Sequence, residues 1–210
     1  NFFTVGNKDA NSDGPDREGQ RHRLDSVYLG ASVFGMLWSR LEYEVQYIKE
    51  LGTTFSDTGN LPAQEVDVSA HALYGGLKYY FYSDLKPVLH ADYLFGSGDA
   101  DAINVFSTTG GSGSQTGSGA GGKDNRFIAF GGKNLGYALA PTLTNLQVIK
   151  AGLSFKPFGW AGSRVWQDLK IHPQFYLFRR DEGAGATSDP YILRGAGSSK
   201  KVGHEIDCSF

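Results

Sequence analysis

The sequence predicts an all-β fold, an antiparallel meander of the kind that forms a transmembrane β-barrel. Three observations carry the prediction. Long segments alternate apolar and polar side chains at period two, which marks strands with two unlike faces. The connections between them alternate short and long, the rhythm of a barrel with tight turns on one side of a membrane and long loops on the other. The polar faces together hold more charge than a dry protein core accepts.

Composition agrees. The 210 residues include 29 Gly, 11 Tyr and 14 Phe against one Met and one Cys, a profile of strands and turns rather than of helices. Net charge is −2, so nothing points to a nucleic-acid partner. The single cysteine, Cys208, permits no internal disulfide and reads as a small strand residue. Mean hydropathy is −0.31 and no run is long and apolar enough for a membrane helix, which does not bear on barrels, whose strands are apolar only at alternate positions.

The elements follow in order. NFFTVGNK reads as a strand already in progress, with Phe2–Gly6 its core, and residues 7–23 as a polar loop. In Leu24–Phe34, Val27, Leu29, Ala31 and Val33 share one face, and Ser26, Tyr28, Gly30 and Ser32 the other. A short turn near Gly35–Met36 leads to Leu37–Leu51, where Leu41, Tyr43, Val45 and Tyr47 oppose Glu42, Glu44 and Gln46. After a loop over 52–64, Glu65–Tyr82 forms a long strand. Val66, Val68, Ala70, Ala72 and Tyr74 share one face, read as lipid-facing, while Asp67, Ser69 and His71 share the other. Gly75–Gly76 predicts a bulge, beyond which the phase is open.

Ser83–Asp84 makes a tight turn into Pro87–Phe95, which sets Leu89, Ala91, Tyr93 and Phe95 against His90 and Asp92. Residues 96–144 form a long extracellular loop whose Gly/Ser-rich middle, 107–123, is expected to be mobile. Asn145–Pro157 returns as a strand, with Ile149, Ala151, Leu153 and Phe155 outward and Lys150, Gly152, Ser154 and Lys156 opposite. A turn at 159–162 precedes Val165–Arg180, where Leu169, Ile171, Phe175 and Leu177 alternate with Lys170, His172, Gln174 and Tyr176. A loop over 181–199 leads to the last strand, Lys201–Phe210. The chain thus reads as one barrel domain over 1–210, and strand-like sequence at both ends predicts a segment of a longer chain.

The polar faces give the candidate site, a pore lining of Arg40, Glu42, Glu44, Asp67, His71, His90, Asp92, Lys150, Lys156, Lys170, His172, Arg180, Glu205 and Asp207. A water-filled lumen holds such charges readily. Lys150, Lys156, Lys170 and Arg180 would form a basic track that attracts an anion. The plainer alternative is that charges of both signs pair across strands and stiffen the wall. Aromatics near strand ends, among them Trp38, Phe81, Tyr82, Phe158 and Trp160, suit interfacial girdles.

Catalytic and metal signals are weak. Ser69 and His71 share a face without a third partner. GSGSQTGSG has no following helix, so it is not a phosphate loop. GSGDAD (96–101) resembles a calcium loop only in its clustered aspartates. No enzymatic activity, cofactor or metal is expected.

Four segments, RLDSVYLGAS, DYLFGSGDAD, NLQVIKAGLSFKPF and VGHEID, lie in an order that resembles the alginate-export family of outer-membrane barrels. The resemblance implies a barrel of about 16–18 strands, of which this chain would supply a middle-to-late part. It also implies the outer membrane of a Gram-negative-type cell, membrane lipid around the barrel, and passive passage of a hydrophilic, anionic solute or polysaccharide. Partner proteins of an export or envelope complex would accompany it. Two alternatives stay open on the residues alone: a small structural or enzymatic outer-membrane barrel, and a soluble β-sandwich that binds carbohydrate.

Overall fold

The computed structural model describes residues 1–8, 24–56, 64–100, 103–104, 115–116, 123–129, 133–185, 187 and 199–210. The Gly/Ser-rich stretch lies outside the described residues apart from Gln115, Thr116 and Lys123, as does Asp101 of the GSGDAD segment.

The alternating segments form strands β1 (Phe2–Lys8), β2 (Leu24–Leu37), β3 (Leu41–Ser56), β4 (Gln64–Tyr80) and β5 (Val88–Gly96). Two short strands, β6 (Ile103–Asn104) and β7 (Gln115–Thr116), pair only with each other. Then follow β8 (Leu146–Ser154), a single helical turn α1 (Arg164–Asp168), β9 (His172–Arg179) and β10 (Lys201–Ser209). Among the described residues, β1, β2, β3, β4, β5, β8, β9 and β10 make one antiparallel sheet in sequence order. No pairing joins β1 to β10, so the sheet is an open arc, a segment of a barrel. No helix among the described residues is long and apolar enough to cross a membrane.

Several boundaries move. The β2–β3 turn falls at Trp38–Arg40, not at Gly35–Met36. Trp38 (φ 49°) and Ser39 (φ 60°) take the left-handed conformation that glycine would take more cheaply, and Arg40 N–H closes the turn on the Leu37 carbonyl at 3.2 Å. Residues 165–168, expected as the start of a strand, lie in α1 instead. No bulge occurs at Gly75–Gly76, since the pairing of β4 with β3 and β5 runs through both without a shift. Gly76 instead makes room, because a Cβ there would collide with the Tyr74 hydroxyl.

The two faces differ in kind. On the outer face Val27, Leu29, Val45, Tyr47, Leu77, Leu89, Ile149, Leu153, Phe175 and Ile206 stand exposed, and nothing among the described residues covers them. An exposed apolar surface of this extent is of the kind a lipid bilayer covers, and the polar residues of this face lie mainly nearer the long connections. Trp38, Phe81, Tyr82, Phe158, Trp160 and Trp166 are exposed together at the short-turn end, where an aromatic girdle belongs. On the inner face the half nearer the long connections is apolar and buried. Leu94, Leu146, Val148, Tyr176 and Phe178 pack with Leu135, and Tyr28, Ala70 and Ala72 pack with Phe127.

That packing shows where the long connection goes. Its described parts, 97–100, 123–129 and 133–145, fold back over the inner face. Asp124 extends the sheet beside the free upper part of β4: Ser69 N–H donates to Asp124 O and Asp124 N–H to Asp67 O, both at 2.8 Å. Asn145 ties this connection to the next one, since its Nδ2 donates to the carbonyls of Glu182 (3.0 Å) and Gly185 (2.9 Å), and Glu182 N–H donates to its Oδ1 at 2.7 Å.

Candidate functional site

The register stacks the inner-face residues into rows that cross the strands. One row runs Glu42, Lys78, His90, Gly152, Gln174, Asp207. The next, toward the long connections, runs Glu44, Gly76, Asp92, Lys150, Tyr176, Glu205. These two rows form a charged band. Beyond them the row Gln46, Tyr74, Leu94, Val148, Phe178 begins the apolar half under the folded-in connection.

Opposite charges meet across neighbouring strands. Lys78 Nζ lies 2.6 Å from Glu42 Oε1, and Tyr80 Oη donates to Glu42 Oε2 at 2.7 Å. Lys150 Nζ lies 3.9 Å from Asp92 Oδ2, and Tyr74 Oη donates to Asp92 Oδ1 at 3.1 Å. Lys133, from the folded-in connection, reaches Glu44 at 3.6 Å and sits 3.8 Å above the Tyr74 ring. The lysine side chains are the more exposed in the outer two pairs, 48% for Lys78 against 36% for Glu42, and 47% for Lys133 against 40% for Glu44.

A second cluster joins His90 and His172, whose Nε2 atoms lie 3.1 Å apart across β8. Gly152 lets them meet, because a side chain there would strike the His90 ring. Gln174 Nε2 contacts His172 Nδ1 at 2.8 Å, and Tyr176 Oη donates to Gln174 Oε1. No group of three or more His, Cys, Asp or Glu side chains placed to hold a metal occurs among the described residues.

A family model for alginate export matches residues 2–210. The chain belongs to the alginate export family. Membership agrees with the open antiparallel meander and its two unlike faces, and it places the chain in an outer-membrane family associated with polysaccharide export. A search of curated proteins finds no match.

The residues expected from the sequence divide into three groups. Glu42, Glu44, His90, Asp92, Lys150, His172, Glu205 and Asp207 lie together on the inner face. Asp67 and His71 do not. They pair with Thr53 and Lys49 and share the outer face with Leu51 and Tyr47, which corrects the phase read for β4. The reason is the folded-in connection: Val66, Val68, Ala70 and Ala72 turn inward to meet segment 123–129, so apolar does not mean lipid-facing there. The third group lies off the strands. Arg40 stacks on Tyr82 at 3.7 Å in a turn, Lys156 pairs with Asp168 at 3.1 Å, Lys170 is exposed beside β9, and Arg180 is buried with its Nη1 donating to Gly183 O at 2.9 Å. The basic track is therefore not continuous.

Sequence reasoning missed Lys78, Lys133 and Glu50. Lys78 was hidden by the phase lost at Gly75–Gly76. Lys133 sits in the long connection, which carries no periodicity. Glu50 continues the Glu42–Glu44 face of β3 and is fully buried, accepting from Tyr28 Oη and from Ile128 N–H, both at 2.9 Å. It anchors the folded-in segment rather than lining open space. Near it, burial holds the Asp124 carboxyl above the usual aspartate range against the pull of Arg126, whose guanidinium lies 3.8 Å away. Between the connection and the sheet remains a cavity of about 400 Å³, lined by Ile48, Leu94, Phe127, Leu135 and Leu143.

Proposed function

We propose that this chain forms part of a passive outer-membrane channel for a hydrophilic anionic solute, with an acidic polysaccharide the class its family points to. The observation that carries the reading is the pairing of an outer face that is apolar from the short turns to its middle rows, through Leu89, Leu153, Leu77, Phe175, Val45 and Ile149, with a charged inner band of Glu42, Glu44, Lys78, Asp92 and Lys150. Lipid covers the first and water fills the second. The wall belongs to a Gram-negative outer membrane, with the short turns on the periplasmic side and the long connections outside. Partner proteins of an export or envelope complex belong to the same proposal.

Within the band, Lys78 and Lys133 present their ammonium groups to the open side, each with an acid at its base. Such mixed rows bind a passing anion at several weak points, firm enough for entry and loose enough for release. Low-dielectric walls strengthen the local field of the exposed lysines. The folded-in connection narrows the passage on the long-loop side.

Planar-bilayer recording of the full-length protein tests this. Steady conductance steps are expected, with a reversal potential in a salt gradient that favours anions, and Lys78→Gln should move that potential toward cation preference. Absence of conductance, or a potential indifferent to Lys78→Gln and Lys133→Gln together, contradicts the proposal.

A further inference from the structure

The segment Asn134–Leu139 is fastened to the wall by its backbone. Tyr137 N–H and Ala138 N–H both donate to Glu205 Oε1 at 2.8 Å, and Leu139 N–H donates to Glu205 Oε2 at 3.0 Å. Tyr137 N–H is shared with Asp207 Oδ2 at 3.1 Å. Asn134 Oδ1 accepts from Gly136 N–H at 2.9 Å and shapes the turn, and Gly136 supplies the left-handed φ of +112°. A Cβ at Gly136 would lie 2.7 Å from Glu205 Oε2, so the carboxylate sits directly against the backbone.

Three successive N–H groups converging on one carboxylate make an anion-binding concavity. Its donors are all main chain, so they recognise a carboxylate by shape and charge and are indifferent to the group that carries it. Glu205 reaches the concavity from the inner face of β10, the side on which an anionic solute would travel. Bonds from N–H donors to an ionised acceptor are the strong kind, so occupancy by either carboxylate holds the turn firmly.

The geometry points to a carboxylate-binding site at Tyr137–Leu139, of which Glu205 is the tethered occupant that an acidic solute displaces. The wall carboxylate latches the connection over the inner face, and the solute's own carboxylate releases it by exchange. No bond is made or broken in this step; one set of N–H donors changes acceptor. The role in solute passage rests on the channel reading, whereas the site itself does not. The tethered carboxylate lowers the apparent affinity for a free one by the fraction of time the site stands open, so with Glu205 in place about nine times in ten or more its removal should raise that affinity about tenfold or more.

The test uses full-length, ¹⁵N-labelled protein in nanodiscs, titrated separately with sodium glucuronate, sodium acetate and glucose. In Glu205→Gln/Asp207→Asn, glucuronate should shift the Tyr137, Ala138 and Leu139 amides with a midpoint about tenfold or more below wild type, and glucose should shift none. A lower midpoint for glucuronate than for acetate identifies an acidic-sugar site, and equal midpoints a general carboxylate site; either sustains the proposal. If the double variant does not fold, Glu205→Gln alone, which keeps the side-chain volume and one acceptor oxygen, should give an intermediate midpoint. Amides that do not move, or midpoints equal to wild type, overturn it. Conductance without these shifts would remove the site and leave the channel, and shifts without conductance would do the reverse.

Discussion

Replacing Ile149 with arginine places a charge at the middle of the outer face. Ile149 lies in the centre of β8, faces outward with 48% of its surface exposed, and pairs with Tyr93 and Leu177 on the neighbouring strands. Its face is therefore apolar on both sides at that depth, with no acid in the adjacent register positions to meet the guanidinium. If lipid covers this face, the charge costs about 2–4 kcal/mol near the bilayer midplane, or roughly 30- to 1,000-fold in the folding equilibrium. Gln147 shares the face but lies one row nearer the long connections, so Gln147→Arg should cost only about 0–1 kcal/mol. Reversible denaturant unfolding of the full-length protein in lipid vesicles measures both. Costs below about 0.5 kcal/mol for Ile149→Arg, or equal costs at the two depths, would refute the assignment of this face to lipid.

Three further outcomes follow from contacts on the inner face. Gly152→Val should destabilise by about 1–3 kcal/mol through overpacking against the His90 ring, and a double-mutant cycle with His90→Ala should recover part of that, the remainder being the Pro173 carbonyl 2.9 Å from the new Cβ. Glu50→Ala leaves Tyr28 Oη without this acceptor and frees Ile128 N–H, so hydrogen exchange at Ile128 should quicken by about tenfold or more, consistent with about 1–3 kcal/mol for a buried donor left unmet. Burial raises the Asp124 carboxyl when segment 123–129 is docked, so the docked form holds its proton to higher pH than the undocked form. Docking should then strengthen as pH falls through the raised value toward the ordinary aspartate range, and weaken as pH rises through it. Exchange at Ser69 N–H, which donates to Asp124 O, should show that slope after correction for intrinsic rates, and Asp124→Asn should flatten it.

Much of the fold was legible because period-two alternation survives wherever a strand has lipid on one side and water on the other. β2, β3, β5, β8 and β9 all show it, and their faces stand as the alternation predicts. β4 breaks the rule for a local reason. Its upper half carries Val66, Val68, Ala70 and Ala72 inward because protein, not water, covers that part of the inner face. A period-two pattern reports that two faces differ; it cannot say which one meets lipid when the lumen side is also apolar. The ion pairs were half legible for a similar reason. Asp92 and Lys150 came from clean strands, but the partners of Glu42 and Glu44 lay past a glycine pair and in an aperiodic connection. Likewise, Glu205 reads as one more lumen acid, and only the fold brings three backbone donors to it.

Which face of the sheet meets lipid can be read out by cysteine accessibility. With Cys208 replaced by serine, single cysteines at positions 42–47 and at 67 and 71 of the full-length protein in vesicles would be treated with a membrane-impermeant, water-soluble thiol reagent. Labelling is expected at positions 42 and 44 and protection at 43, 45 and 47, with position 46, at the edge of the folded-in connection, intermediate. At 67 and 71, near the long connections, labelling is expected, with the attached fluorophore dimmed by a lipid-bound quencher and the reaction unhindered by a lumen-filling polymer. Uniform labelling along β3, or protection at 42 and 44 with labelling at 43 and 45, would overturn the assignment of faces.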